Sequence, residues 1–257
     1  MKPVRSSFAL TALIATLGGC VGATGPAIDR AAPPVEGEPV IYVAIGASET
    51  AGVGTSDPFS EVWPKVLWRD ALPEAVLYDL GRPGSTLSEA LIEQSGEAVE
   101  LQPDVVTVWL NVNDLVAQVP VESYERDLRT MLSMLGDAGA TVLVATTPRI
   151  DSLPIYLACR PDPPANAPAC LVPGLTLPTP NEVRSAVAGY NDAIERVATE
   201  TGAIVVDLQV YGDAPIEHPE WIAEDGFHPS TKGAIAIARA FEQALPAAIT
   251  DAATLPR

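Results

Sequence analysis

Ile41-Tyr42-Val43-Ala44-Ile45-Gly46-Ala47-Ser48 is a short apolar run rich in β-branched residues, halted by Gly46 and followed two residues on by a serine. A run that is apolar without alternation predicts a strand buried on both faces, ending in a turn. A hydroxyl at such a strand end faces the crevice where open α/β sheets bind ligands. Taken alone, a serine after a strand is also the signature of a helix N-cap. Its meaning depends on what the rest of the chain brings to it.

Downstream the pattern alternates. Glu61 to Ala71 predicts a short helix and Ala75 to Leu80 a second strand. Thr86 to Leu101 predicts one helix, with Leu87, Leu91, Ala98 and Leu101 on one face. Asp104 to Leu110 is another β-branched run, and Tyr124, Leu128, Met131, Leu132 and Leu135 mark a helix ended by Gly136 and Gly139. Thr141 to Thr146 predicts a fourth strand. Val183, Val187, Tyr190, Ile194 and Val197 mark a helix closed by Gly202, and Ala203 to Leu208 a fifth strand. Ile235, Ala238, Phe241 and Leu245 mark the last helix. Strands alternating with helices specify a parallel sheet covered on both faces, with right-handed crossovers. The expected fold is a three-layer α/β/α sandwich with a five-stranded, mainly parallel sheet.

One segment breaks the alternation. Between Ile150 and Pro180 lie eight prolines and no helical or strand period, which predicts an irregular insertion on the substrate side. Cys159 and Cys170 fall within it. In an exported chain these two are the candidates for a disulfide, with a chain-entropy contribution of roughly 3 kcal/mol. No histidine lies near them, so a metal site is the weaker alternative.

The N-terminus has the pattern of a targeting segment. Lys2 and Arg5 form a positive region, and Phe8 to Leu17 is apolar but too short to span a bilayer. The stretch ends in Leu17-Gly18-Gly19-Cys20, which looks like a bacterial lipobox and makes Cys20 the lipidation candidate. Val21 to about Pro39 is Gly-, Ala-, Pro- and Glu-rich without period, as in a tether. The expected organisation is a signal peptide at 1–19, a tether at 20–38 and a globular domain at 39–250 carrying the insertion 150–180. The protein is expected to be exported, anchored to the cell envelope by lipid or secreted, and monomeric.

Composition narrows the partners. A 47% hydrophobic, 19% charged chain of 257 residues is globular and long enough for one full core. Its net charge of −18 opposes binding to nucleic acid, which requires a basic surface. The same charge disfavours anionic membranes, leaving the N-terminal lipid as the expected membrane contact.

Ser48 requires a base to become a nucleophile, and the base an orienting partner. The chain has two histidines. His218 sits in the polar stretch Glu217-His218-Pro219-Glu220. His228 sits in Asp225-Gly226-Phe227-His228-Pro229, where Gly226 permits a turn and Pro229 holds His228 off helical geometry. That turn lets the Asp225 carboxylate meet the His228 imidazole. Two other strand ends are polar: Gly81-Arg82-Pro83-Gly84-Ser85-Thr86 and Asn111-Val112-Asn113-Asp114. The amides of Ser48 and Gly84 with the Asn113 side chain are the donors that an oxyanion hole needs.

In order, these four blocks resemble the SGNH, or GDSL-like, hydrolases. Gly46-Ala47-Ser48 stands where that family has Gly-Asp-Ser, and Gly81-x-x-Gly84 matches its glycine block. Asn113-Asp114 matches its Gly-x-Asn-Asp block, and Asp225-x-x-His228-Pro229 its last one. The resemblance implies a flavodoxin-like fold, Ser48 as nucleophile, His228 as base and Asp225 as its orienter. It also implies an oxyanion hole from Ser48, Gly84 and Asn113, with no metal and no cofactor. Ala47, Asp79 and Asn111 depart from the usual aspartate, asparagine and glycine. The α/β-hydrolase elbow Gly-x-Ser-x-Gly is absent, because Thr50 occupies its second glycine position. The expected activity is hydrolysis of carboxylic esters. Two alternatives stand beside it: O-acetyl removal from a polysaccharide or envelope glycan, and a surface lipoprotein that only binds.

Overall fold

The computed structural model describes residues 38–167, 169–170, 177–211 and 213–254. The signal peptide, Cys20 and nearly all of the tether lie outside the described residues, as do 168 and 171–176 of the insertion.

In chain order, β1 (Ile41–Gly46), α1 (Trp63–Ala71), β2 (Val76–Asp79), α2 (Leu87–Glu93), α3 (Ser95–Glu100) and β3 (Val105–Trp109) form the first half. They are followed by α4 (Val112–Val116), α5 (Val121–Asp137), β4 (Thr141–Ala145), α6 (Pro154–Cys159), α7 (Pro180–Thr201) and β5 (Ile204–Val206). The chain closes with α8 (Ala214–Glu217), α9 (Thr231–Ala244) and α10 (Ala247–Thr254). The strands form one sheet in the order β2-β1-β3-β4-β5, and every pairing is parallel. This is the flavodoxin-like order, with its crevice at the carboxyl ends beside β1 and β3.

Strand β1 is buried from Tyr42 to Gly46, which explains its lack of alternation. Its residues divide between two cores. Tyr42 and Ala44 join Trp63, Leu67 and Phe241 beneath α1, α9 and α10. Val43 and Ile45 join Leu87, Tyr124, Leu128, Met131 and Ile194 beneath α2, α5 and α7. Trp63 stacks on Phe241 with centroids 4.3 Å apart, tying α1 to α9. Helix α7 starts at a capping box, with Thr179 and Glu182 bonded reciprocally and Pro180 in the first turn. It ends at Gly202, whose φ of 77° suits glycine.

Three expectations change. The single helix over Thr86–Leu101 is two, α2 and α3, broken at Gln94. The Gln94 side chain is fully buried and turned toward β1, and Gly96 in the next turn has poor helix propensity. The insertion is not wholly irregular: a 3-10 turn at Ile150–Ser152 leads into α6, begun by Pro154. A six-residue helix is too short to show a period. Finally, α10 follows the helix expected to be last and reaches the turn before β2, where Glu74 N donates to Ala253 O at 3.0 Å.

The insertion packs as a third, smaller core of Leu153, Tyr156, Val183 and Val187, against α7. Cys159 and Cys170 are bonded, with Cα atoms 4.8 Å apart. Asp151, buried, receives Arg149 Nε at 3.0 Å and Arg184 Nη1 at 2.8 Å, which ties the insertion's start to α7.

Candidate active site

Ser48 lies in the turn that leaves β1, where Ala51 N donates to Ala47 O and Val53 N to Ser48 O. This turn needs glycine at 46, because a Cβ there would lie 1.9 Å from Thr50 Oγ1. Ser48 is 8% exposed. Its Oγ is 2.9 Å from His228 Nε2, across 180 residues of sequence. His228 Nδ1 is 2.6 Å from Asp225 Oδ2.

The turn that carries these two residues is closed by its own hydrogen bonds. Ala223 N donates to His228 O and Ser230 N to Trp221 O, bracketing an antiparallel bridge between Ile222 and Pro229. Gly226 takes φ 72°, and Asp225 Oδ1 accepts from the Phe227 and His228 amides at 2.8 and 2.9 Å. Burial pushes the Asp225 carboxyl up, but the bonds from the His228 ring and these two amides outweigh it and hold the group below its ordinary range. An ionised carboxylate therefore faces the imidazole Nδ1. His218, the other histidine, stacks on Trp221 with centroids 4.3 Å apart and places Nδ1 3.6 Å from Glu220 Oε1.

The two other polar strand ends are knitted to the same turn. Asn113, on α4, donates from Nδ2 to Ser85 O at 2.9 Å, which uses one of its two amide hydrogens. Asp114 accepts from Leu87 N at the start of α2. Asn111 is buried and donates to Ala145 O at 3.2 Å, so the residue that departs from glycine ties the end of β3 to the end of β4. Gly84 has φ 86° and open space where a Cβ would stand. Arg82 N donates to Gly46 O at 3.1 Å, fastening the glycine block to the turn before Ser48.

Three residues with a place here escaped the sequence reading. Gln94 accepts from Gly46 N and donates to Gly46 O, both at 3.1 Å, and reaches Ser85 Oγ at 3.4 Å. Gly54, at φ 95°, lies where a Cβ would stand 2.6 Å from Pro229 O and 2.7 Å from His228 Cβ, so the histidine rests against its bare backbone. Glu49, next to the serine, places Oε2 3.2 Å from Ser48 Oγ. The first two carried no periodic signal. Glu49 is a charge shortly after an apolar strand, which does not by itself reveal its contact with Ser48.

Beside His228 opens a cavity of about 110 Å³, lined by Glu49, Trp109, Leu208, Ile222, Phe227 and Ile237 among others. Trp109 is buried and lines this cavity as well. A larger groove of about 1170 Å³ runs between α4 and the insertion, past Leu115, Leu153, Tyr156 and Val183. Phe227 borders both.

A parallel α/β/α sandwich with a serine and an imidazole in contact at its carboxyl edge is an arrangement suited to hydrolysis. The chain belongs to the GDSL-like Lipase/Acylhydrolase family, which it matches over residues 44–235, and is a hydrolase acting on ester bonds. No curated protein matches it in sequence. Among solved structures it is similar to TesA, with 17% identity, 81% of this chain and 99% of that one covered, and a TM-score of 0.61. It is similar also to the acetyl xylan esterase AlAXEase, at 15% identity, 80% and 100% covered, with a TM-score of 0.60. The lipase/acylhydrolase from Enterococcus faecalis is 22% identical, with 79% and 94% covered and a TM-score of 0.58. At these identities the likeness is one of fold.

Proposed function

We propose that Ser48 is the nucleophile of ester hydrolysis, with His228 its base and Asp225 the orienter of His228. The observation that supports this most is the continuous run of contacts from Asp225 Oδ2 through the imidazole to Ser48 Oγ, at 2.6 and 2.9 Å. His228 takes the hydroxyl proton as Oγ attacks the carbonyl carbon. The amides of Ser48 and Gly84 and the remaining Asn113 hydrogen receive the developing oxyanion. Each such donor is worth about 3 kcal/mol in the transition state. The intermediate collapses as His228 protonates the departing alcohol. Water then enters, gives its proton to the same nitrogen, and releases the acid from Ser48. Each step uses only these side chains and amides.

The test is hydrolysis of p-nitrophenyl esters from acetyl to palmitoyl by the domain starting near Ala27, beside Ser48→Ala. Turnover is expected to fall by about 10³-fold or more in the variant. Turnover that survives the substitution would remove Ser48 from its role.

A second reading, removal of O-acetyl groups from a polysaccharide, is favoured by one observation. The cavity beside His228, at about 110 Å³, suits a short acyl group better than an extended chain. In the ester series it predicts a preference for acetyl over octanoyl and longer groups.

The reading extends to the cell envelope, with the enzyme exported and held there by lipid on Cys20. Lys2, Arg5 and the apolar run ending in Gly18-Gly19-Cys20 support it. Metabolic fatty-acid labelling of the full chain, lost in Cys20→Ser, is the expected result; labelling that persists would place the lipid elsewhere.

A further inference from the structure

Glu49 is a half-buried carboxyl that the mechanism above leaves unused, yet it touches the reacting oxygen. Ser48 Oγ lies between two groups, 2.9 Å from His228 Nε2 and 3.2 Å from Glu49 Oε2. A serine hydroxyl carries one hydrogen. It cannot donate to the imidazole and to a carboxylate at once.

Proton bookkeeping separates two states. With Glu49 protonated, the carboxyl donates to a lone pair of Ser48 Oγ and the serine hydrogen points to His228, as attack requires. With Glu49 ionised, the carboxylate accepts the serine hydrogen and the base loses its substrate proton. The ionised form also sets a negative charge beside an oxygen that attacks to form an oxyanion.

We propose that Glu49 is a positioning residue that acts as a proton-dependent switch on the nucleophile, committing the Ser48 hydrogen to His228 only while its own carboxyl is neutral. The proposal rests on the serine hydrolase reading above.

The surroundings favour the neutral form. Glu49 lines a cavity whose other walls come from the ends of β3, β4 and β5 and from α9. Among the described residues that line it, Arg149 and His228 carry the only other ionisable groups. Arg149 is engaged by Asp151 and Asp213 at 3.0 and 2.6 Å. Asp225 stands behind the imidazole, its Oδ2 2.6 Å from His228 Nδ1. Burial is the largest influence on Glu49 and raises its pKa, against the bond from its own backbone amide, the bond from Ser48 and the charge of His228.

The experiment reads the serine without needing its natural ester. An alkyl fluorophosphonate is attacked by Ser48 Oγ: the O–P bond forms, the P–F bond breaks, fluoride leaves and His228 takes the proton. Its rate, followed by intact mass, is measured from pH 5 to 9 on wild type, Glu49→Gln, Glu49→Leu and Ser48→Ala. The wild-type rate, taken relative to Glu49→Gln, is expected to fall about tenfold or more as Glu49 ionises, the worth of one hydrogen bond to an ion. Glu49→Gln keeps a donor that never ionises, so its profile lacks this fall. Glu49→Leu, with neither donor nor charge, also lacks the fall and is slower than the glutamine variant throughout. Superimposable pH profiles for wild type and Glu49→Gln, with Ser48→Ala unlabelled, would overturn this proposal alone. An absence of Ser48-dependent labelling in the wild type would overturn the hydrolase reading and this with it.

Discussion

Asp79 ends β2 two residues before the glycine block, and its carboxylate accepts from Gly81 N at 3.0 Å. Burial pushes its pKa from 3.8 up to about 6, against the pull of that bond and of Lys65. The folded protein therefore holds this proton more tightly than the unfolded chain. Stability falls as pH rises from about 4 to 6, and the full penalty applies above that window. A shift of two units is nominally about 3 kcal/mol, and partial solvent contact reduces it to about 1–2 kcal/mol. Asparagine keeps the acceptor for Gly81 without the charge. Asp79→Asn is expected to raise Tm at pH 8 and to raise it roughly half as much at pH 5, where the folded aspartate is mostly neutral. Thermal melts of the two proteins at both pH values check this. An equal gain at each would mean that the carboxylate's charge is not the cause.

At the scale of elements, the break between α2 and α3 is what brings Gln94 to the turn that carries Ser48. A continuous helix would carry this residue past Gly46. Broken, it delivers one amide that satisfies both polar groups of the Gly46 peptide. Gln94→Leu keeps the volume and leaves the Gly46 N–H without that acceptor, while Gly46 O retains Arg82 N. The expected loss is about 1–3 kcal/mol, or about 2–4 °C in Tm per kcal/mol, with a lower kcat because the Ser48 turn loosens. A variant that melts like wild type would show that water or a neighbour replaces the amide. The break illustrates where sequence reading stops. Leu87, Leu91 and Ala98 keep one apolar face across both helices, so periodicity reports a single helix. What interrupts it is a tertiary hydrogen bond to a strand 48 residues away. The central strands β1, β3 and β4, by contrast, were legible because a strand buried on both faces must be apolar throughout, while the edge strands β2 and β5 are only partly buried. The candidate catalytic residues were legible because the chemistry admits few residue types and the chain has two histidines. Glu49 and Gly54 were not, since their roles are distances to groups brought near by folding.

For the molecule as a whole, the insertion is more than a wall beside the crevice. Its α6 begins against the turn that carries the catalytic candidates: Ile155 N donates to Gly226 O at 3.1 Å, and a Cβ on Gly226 would stand 3.1 Å from that same nitrogen. The Asp225–His228 turn is therefore held from two sides, by Gly54 beneath His228 and by α6 against Gly226. The far end of α6 is Cys159, fixed to Cys170 eleven residues on. Removing that bond frees the end of a six-residue helix too short to persist without tertiary support. The sheet and its two main cores lie elsewhere and do not depend on it. Cys159→Ser with Cys170→Ser is expected to lose about 2–3 kcal/mol, to keep a cooperative melt, and to lower kcat on a short ester several-fold through the slackened Gly226 contact. The readouts are Tm and kcat/KM for the double variant, and for wild type with and without dithiothreitol. If Tm falls while kcat stands, α6 holds the insertion but not His228. If neither moves, Asp151 and its two arginines alone anchor the insertion.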